Sequence, residues 1–396
     1  MALTEKGQYA LTKIKQYFPK GQFNAKDLSD ACGEKIVAAT LNGVANNGYI
    51  IKHGGSPVMF EAIDGLDDLL ASALEEQQKK GITKEHLEKA KKQKNDEFYT
   101  RYEDIETEVM KYRKSFKNKV VYLPCDDPAE KKSEFWSFFV NNFDAFGLKK
   151  LIATHYDDSG KAYKIWIDTD TTGDGYINDA DAMQEDLNGN GDFRSPECIE
   201  ILKECDIVCT NPPFSLFREF INILTQNNKD FLILGNNNAL SYQNVFSLIK
   251  ENKIWCGYNC NKNITFKVGE GYTYDPKVTE KINDGNRYGT VPAITWFTTL
   301  PVKNRNEELI LTKTYNDVDY PYYDNFEAIN VDRVVNIPKD YDGVMGVPIT
   351  FINIYNPNQF EIIGLMASTT VTDVNFGYPY LNGKKKYARV LIRRKK

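Results

Sequence analysis

Between Val120 and Phe297, short β-branched runs alternate with helical stretches, and that alternation constrains the fold more than any other feature of the chain. Val120-Val121-Tyr122-Leu123, Leu151-Ile152-Ala153-Thr154, Ile207-Val208-Cys209-Thr210, Phe231-Leu232-Ile233-Leu234 and Ile294-Thr295-Trp296-Phe297 are candidate strands. Phe135 to Phe146 and Leu216 to Leu224 are candidate helices; in the second, Phe217, Phe220, Ile221 and Leu224 recur at helical spacing. Uniformly apolar strands alternating with helices predict an α/β domain, a mostly parallel sheet covered on both faces. Such sheets bind ligands outside the carboxyl ends of their strands. A chain of 396 residues has room for two or three domains, and 41% apolar with 27% charged residues excludes a disordered or fibrous chain. No apolar run approaches the ~20 residues that span a bilayer, so no membrane partner is expected. The start has no secretory pattern, and the seven cysteines are odd in number and scattered, which points to a reducing cytoplasm.

Residues 1–65 read as a separate unit. Leu11, Ile14 and Tyr17-Phe18 mark one helix, and Asn24 caps a second, with Phe23 and Leu28 placed as a staple. Val37, Leu41 and Val44-Ala45 line a third. Tyr49-Ile50-Ile51 and Val58-Met59-Phe60 then flank a Gly-Gly-Ser-Pro turn. Three helices and a hairpin are the order of a winged helix-turn-helix, a fold used both on DNA and as a protein-interaction module. Residues 66–94, mostly Glu, Gln and Lys, read as a charged helical linker. The core is expected over 95–300, with its C-terminal part and a target-recognition region over 301–396.

Asn211-Pro212-Pro213-Phe214 follows the strand Ile207–Thr210 directly and precedes a helix. Two prolines remove two N–H donors and fix φ, which frees the Asn211 and Pro212 carbonyls as acceptors. With the Asn211 side chain, these suit an exocyclic amino group, and Phe214 offers a stacking face for a planar base. A rigid strand-to-helix turn is the bland alternative.

The tetrapeptide resembles the catalytic motif of S-adenosyl-L-methionine-dependent methyltransferases that act on amino groups. The longer strings Gly191-Asp192-Phe193-Arg194-Ser195 and Asp206 to Phe217 resemble the EcoRI-type adenine-N6 DNA methyltransferase family. So do Asn95 to Thr100, Leu123 to Pro128 and Gly346 to Phe351; the first 65 residues carry no such likeness. The resemblance implies a Rossmann-like methyltransferase core, S-adenosyl-L-methionine as cofactor, double-stranded DNA as partner, and methylation of an extruded adenine, with Asn211, Pro212, Pro213 and Phe214 catalytic. It also implies cofactor contacts from Phe98, Tyr99 and Thr100 and from the turn Pro124, Cys125 and Asp126. Asp157 is then a ribose acceptor, and Asp192 with Phe193 lies at the cofactor's adenine. The turn at Pro124 carries carboxylates where most methyltransferases have glycines. A monomer is expected, with a cognate restriction endonuclease as a candidate partner. RNA or protein amide substrates, or a DNA-binding module with an inactive core, are the alternatives.

Charge is unevenly spread over a chain of net −5: Asp168 to Asp206 holds twelve acids and two bases, whereas the last thirteen residues hold eight bases and no acid. Lys384, Lys385, Lys386 and Arg389 are therefore candidate DNA-phosphate contacts. Within the acidic stretch, Asp170 to Asp181 and Asp186 to Glu197 fit EF-hand loop spacing, but the interval between them is too short for a normal helix pair and Pro196 interrupts the second. Hydrated Asp/Asn/Gly turns are the leading reading, and no metal is assigned. Cys205-x3-Cys209 and Cys256-x3-Cys260 lack zinc spacing.

Overall fold

The computed structural model describes residues 10–11, 13–14, 16–18, 20–33, 36–46, 50–62, 98–126, 134–157, 159–268, 279–283, 286–369 and 371–395. The chain divides into two compact units, Met1–Lys92 and Gln93–Lys396. The expected linker 66–94 lies outside the described residues.

The centre of the second unit is four parallel strands: β1 (Val120–Leu123), β2 (Lys150–His155), β5 (Ile207–Thr210) and β6 (Asp230–Asn236), in spatial order β6-β5-β1-β2. Their side chains alternate between two cores. Val121, Leu123, Leu151, Ala153, Ile207, Cys209, Leu232 and Leu234 enter one, beneath α1 (Tyr102–Val109) and α2 (Phe135–Asn141). Val120, Tyr122, Ile152, Val208, Phe231 and Ile233 enter the other, beneath α3 (Pro196–Glu204), α4 (Phe217–Gln226) and α5 (Gln243–Lys250). Burial on both faces is why these strands are apolar at every position. Fully burying one such Val, Leu, Ile or Phe stabilises by ~1.5–3 kcal/mol. Gly235 keeps β6 open to α4: a Cβ there would lie 2.5 Å from the Phe217 ring.

The flanks correct the expectation of a mostly parallel sheet. β3 (Tyr163–Ile167) and β4 (Met183–Asp186) extend it antiparallel beyond β2, and β8 (Asn286–Thr298) and β7 (Lys262–Val268) extend it antiparallel beyond β6. The connection from His155 to Tyr163 is too short for a parallel crossover, which needs a dozen or more residues. β8 is longer than the expected run at Ile294; residues 286–293 continue past its pairing with Asn236, the end of β6, and pair with β7, whose other edge carries the two-residue strand Phe98–Tyr99. The candidate helix 135–146 is interrupted at Asn142, whose side chain donates to the Phe138 carbonyl at 2.8 Å, and resumes for one turn over Phe143–Phe146.

A second sheet, β9 (Ile329–Asn330), β10 (Met345–Pro348), β12 (Arg389–Arg394) and β11 (Phe360–Met366) in that spatial order, packs into the core that also holds α4 and α5.

In the first unit, residues 10–11, 13–14 and 16–17 are helical, followed by helices Ala25–Cys32 and Ala38–Asn46. Asn24 closes a capping box with Asp27, and Phe23 and Leu28 are fully buried. The hairpin Ile50–His53/Met59–Ala62 takes a third strand, Gln22–Phe23, which pairs with Met59–Ala62 and was not legible as a strand. No helix of the described residues is long and apolar enough to cross a membrane.

Candidate active site

Chain order reverses between β1 and β5, so the carboxyl ends of these neighbours flank a topological switch point. Two of the expected site segments begin there. After β1 come Pro124, Cys125 and the buried Asp126; after β5 come Asn211 and the buried Pro212. A short bond ties them: the Thr210 hydroxyl, on the residue before Asn211, donates to the Asp126 carboxylate at 2.5 Å. Tyr122 and Thr154 share a hydrogen bond of 3.0 Å, and Thr154 lies 3.4 Å from the Pro124 carbonyl, so β2 braces the same turn. Burial pushes the Cys125 thiol well up, away from ionisation.

Beyond Asn211 the prolines act as the sequence requires. Pro213 stays extended in ψ and its carbonyl accepts from the Leu216 N–H at 2.9 Å, closing one tight turn over Phe214–Leu216 before α4 starts. Phe214 is half-buried against the core under α1 and α2.

The other acidic positions meet at the end of β2. The Asp157 N–H donates to the Asn190 carbonyl at 3.0 Å, and Gly191 (φ +74°) lies so close that a Cβ would collide with the His155 carbonyl oxygen. Asp157 and Asp192 are thereby on adjoining segments. The Ser159 backbone N–H and hydroxyl hold the Asp157 carboxyl below its ordinary range. Burial opposes ionisation of Asp192, but the Arg194 fork, at 2.9 and 2.6 Å, outweighs it and keeps the carboxyl low. Arg194 also reaches Glu219 at 3.0 Å. Phe193 is buried, edge-on to Phe220.

Thr100 follows the strand Phe98–Tyr99; it is 1% exposed and, among the described residues, its hydroxyl has no hydrogen-bond partner. Nothing is assigned to the Phe98 side chain, which lies outside the described residues. Tyr99 pairs with Lys267 of β7. Farther along the chain, α1 carries a residue that sequence reasoning missed: Glu108, fully buried, accepts from the Tyr112 hydroxyl (2.8 Å) and the Tyr258 and Asn259 N–H groups (2.7 and 2.8 Å). An acid in the polar run Tyr102-Glu103-Asp104-Ile105-Glu106-Thr107-Glu108-Val109 gives no sign of this.

The structure does not bring the basic tail together as one surface. Lys384 and Lys385 are exposed in a small hairpin with Tyr380–Leu381, and Lys386 follows, but Arg389 is 7% exposed and lies 3.6 Å from Asp332. Arg389 begins β12 between β10 and β11 and is largely buried there, unlike the exposed Lys384 and Lys385. In the acidic stretch the carboxylates face backbone amides: Asp170 accepts from Gly173 and Gly175, Asp181 from Thr171, Thr172 and Asn178, and Glu197 from Asn188 and Gly189. Among the described residues no group of three or more His, Cys, Asp or Glu side chains is arranged to hold a metal ion.

The sequence model of the family described as adenine-specific methyltransferase EcoRI matches residues 86–395, which spans the whole of this site. The chain belongs to that family. It is 43% identical over 331 residues to the Type II methyltransferase M.EcoRI of Escherichia coli, covering 80% of this chain and 98% of the relative. Similar values hold for M.MgeORF184P of Mycoplasma genitalium (41%, 78% and 98%) and M.MpnI of Mycoplasma pneumoniae (40%, 78% and 98%). No solved structure matches significantly. As an EcoRI-type adenine-specific methyltransferase, the chain is a DNA-modifying enzyme, and the switch point of its α/β sheet is where its chemistry is to be sought.

Proposed function

We propose that this methyltransferase transfers a methyl group from S-adenosyl-L-methionine to N6 of an adenine everted from double-stranded DNA. The observation that carries the reading is the Asn211–Phe214 turn at the switch point, tied through Thr210 to Asp126. The residues fit the cofactor by their chemistry. The Thr100 hydroxyl is buried and meets no hydrogen-bond partner among the described residues, as suits a ligand-facing group. Asp157 and Asp192 present carboxylate acceptors suited to ribose hydroxyls and an adenine amino group. When bound, S-adenosyl-L-methionine supplies an already activated methyl on a cationic sulfur.

The chain's own residues supply the rest. The N6 lone pair of adenine is delocalised into the ring, so N6 is a poor nucleophile. Acceptance of its two hydrogens by the Asn211 side chain and the Pro212 carbonyl favours a pyramidal nitrogen and aims its lone pair, by orientation and electrostatics. The rigid Pro212-Pro213 backbone holds these acceptors in place before the base arrives. Eversion costs a few kcal/mol, and stacking on Phe214, worth ~1–3 kcal/mol per base, offsets part of it.

In the same reading the N-terminal unit is a winged helix-turn-helix that adds DNA affinity, a view supported by the strand Gln22–Phe23 completing a three-stranded sheet with the hairpin. Lys384, Lys385 and Lys386 contact phosphates, and the enzyme works as a cytoplasmic monomer, in a restriction-modification pair or as an orphan enzyme. Sequencing that detects modified bases, applied to DNA from cells expressing the chain, is the test. N6-methyladenine at one fixed sequence is expected for the wild type and none for Asn211→Ala. Full modification by Asn211→Ala, or a different modified atom, refutes the proposal.

A further inference from the structure

Two arginines stand near the carboxyl edge of the parallel strands, and they differ in one respect. Arg194 is neutralised by Asp192 and Glu219. Arg218 is exposed, and among the described residues no carboxylate pairs with it. Its guanidinium carbon instead lies 3.9 Å from the centre of the Tyr242 ring. Tyr242 is itself half-buried against the core under α4 and α5, so the ring is a fixed platform rather than a second mobile side chain. The Asn244 side chain reinforces the pair, reaching the Arg218 carbonyl at 3.3 Å and the Asn222 side chain at 2.9 Å, and so fastens α5 to α4.

The position of the pair follows from the topology. Arg218 is the second residue of α4, four residues after Phe214. Tyr242 ends the turn Asn237–Ser241 that leaves β6. Since β5 and β6 are parallel neighbours with Thr210 opposite Ile233, both segments depart from the edge that carries Asn211. A guanidinium stacked by its face on an aromatic ring keeps its in-plane N–H donors directed outward, the geometry that grips two oxygens of a phosphate. The need is electrostatic as well. A chain of net −5 must draw a polyanion with local cations, and Arg194 is already neutralised.

We propose that Arg218, held on Tyr242, binds a DNA backbone phosphate beside the adenine to be methylated. The inference rests on the proposed function for the identity of the polyanion, and adds to it a residue that fixes the strand next to the everted base.

The test is the salt dependence of binding of the full chain to a 30-base-pair duplex, read by fluorescence anisotropy, alongside methyl transfer to the same DNA. One phosphate contact contributes about 0.9 to the slope of log K against log salt, so Arg218→Gln is expected to flatten the slope by about one and weaken binding roughly eight-fold at ~0.1 M salt. Arg218→Lys keeps the charge, so its slope is retained while affinity falls through loss of the stacked plane. Tyr242→Leu should likewise keep the slope and lose affinity. An Arg218→Gln chain with wild-type slope and affinity overturns the inference, because it describes a merely solvated arginine. If the wild type binds DNA with an Arg218-dependent slope yet transfers no methyl group, the proposed function falls and the phosphate contact stands. If it methylates while Arg218→Gln binds unchanged, the contact alone falls.

Discussion

Single residues differ in how openly the sequence declares them. Asn211 to Phe214 is legible because a Pro-Pro pair after an apolar strand leaves the backbone few options, and the structure places it at the end of β5 as expected. Arg389 is not, because a run of basic residues carries no record of which one a β-strand will turn inward. Thr100 lies between: the family resemblance marks it for the cofactor, but only the fold shows a buried hydroxyl that meets no partner among the described residues. An unsatisfied buried hydroxyl costs folding free energy, so it persists where something else uses it. Thr100→Val removes the hydroxyl at nearly constant shape. The variant is expected to be as stable as the wild type or up to ~1 kcal/mol more stable, while its affinity for S-adenosyl-L-methionine drops several-fold. Thermal unfolding and calorimetric titration read the two effects separately. Lower stability with unchanged affinity would assign the hydroxyl to packing.

At the scale of elements, the parallel centre was readable and the joints between elements were not. Apolar runs announce β1, β2, β5 and β6, whereas pairing direction depends on connection length and on partners remote in sequence, which is how β3, β4, β7 and β8 came to be antiparallel. Glu108 is such a joint: it clamps α1 to the turn at Gly257–Asn259, and Gly257 sits where any Cβ would collide with its carboxylate. Burial pushes the Glu108 carboxyl up from its ordinary range, against the opposing pull of Tyr112, Tyr258 and Asn259. A carboxyl whose folded pKa exceeds its unfolded one contributes stability that is fully present below the unfolded value and is lost as pH rises through the folded value. Glu108→Gln does not titrate and turns an amide donor toward backbone donors, leaving one without an acceptor at a cost of ~1–3 kcal/mol. Urea unfolding at a series of pH values should show the wild-type advantage over Glu108→Gln to be largest in acid and to shrink as pH rises. An advantage that grows with pH would mean that the three donors outweigh burial.

For the molecule as a whole, length left room for two or three domains, and the chain forms two compact units, Met1–Lys92 and Gln93–Lys396. The core of the first is built from residues between Ala10 and Phe60, and the cores of the second from residues between Ile105 and Ile392. The two sets have no member in common, so removing the first deletes no side chain from the cores around the site. The family match begins at residue 86, and relatives covered over 98% of their length align with about four-fifths of this chain. Catalysis and recognition of the methylated sequence should accordingly reside in residues 86–396. A chain beginning at residue 86 is expected to unfold cooperatively and to modify the same DNA sequence as the full chain, with turnover at saturating DNA little changed. Its KM for DNA should rise several-fold, and its salt slope should be shallower by about 0.9 for each phosphate the first unit contacts. Steady-state methylation at two salt concentrations, with base-resolved sequencing of the product, separates the possibilities. If the shortened enzyme keeps its KM, the first unit serves a protein partner rather than DNA; if it methylates a different or looser sequence, part of the specificity lies in the hairpin and helices of residues 20–62.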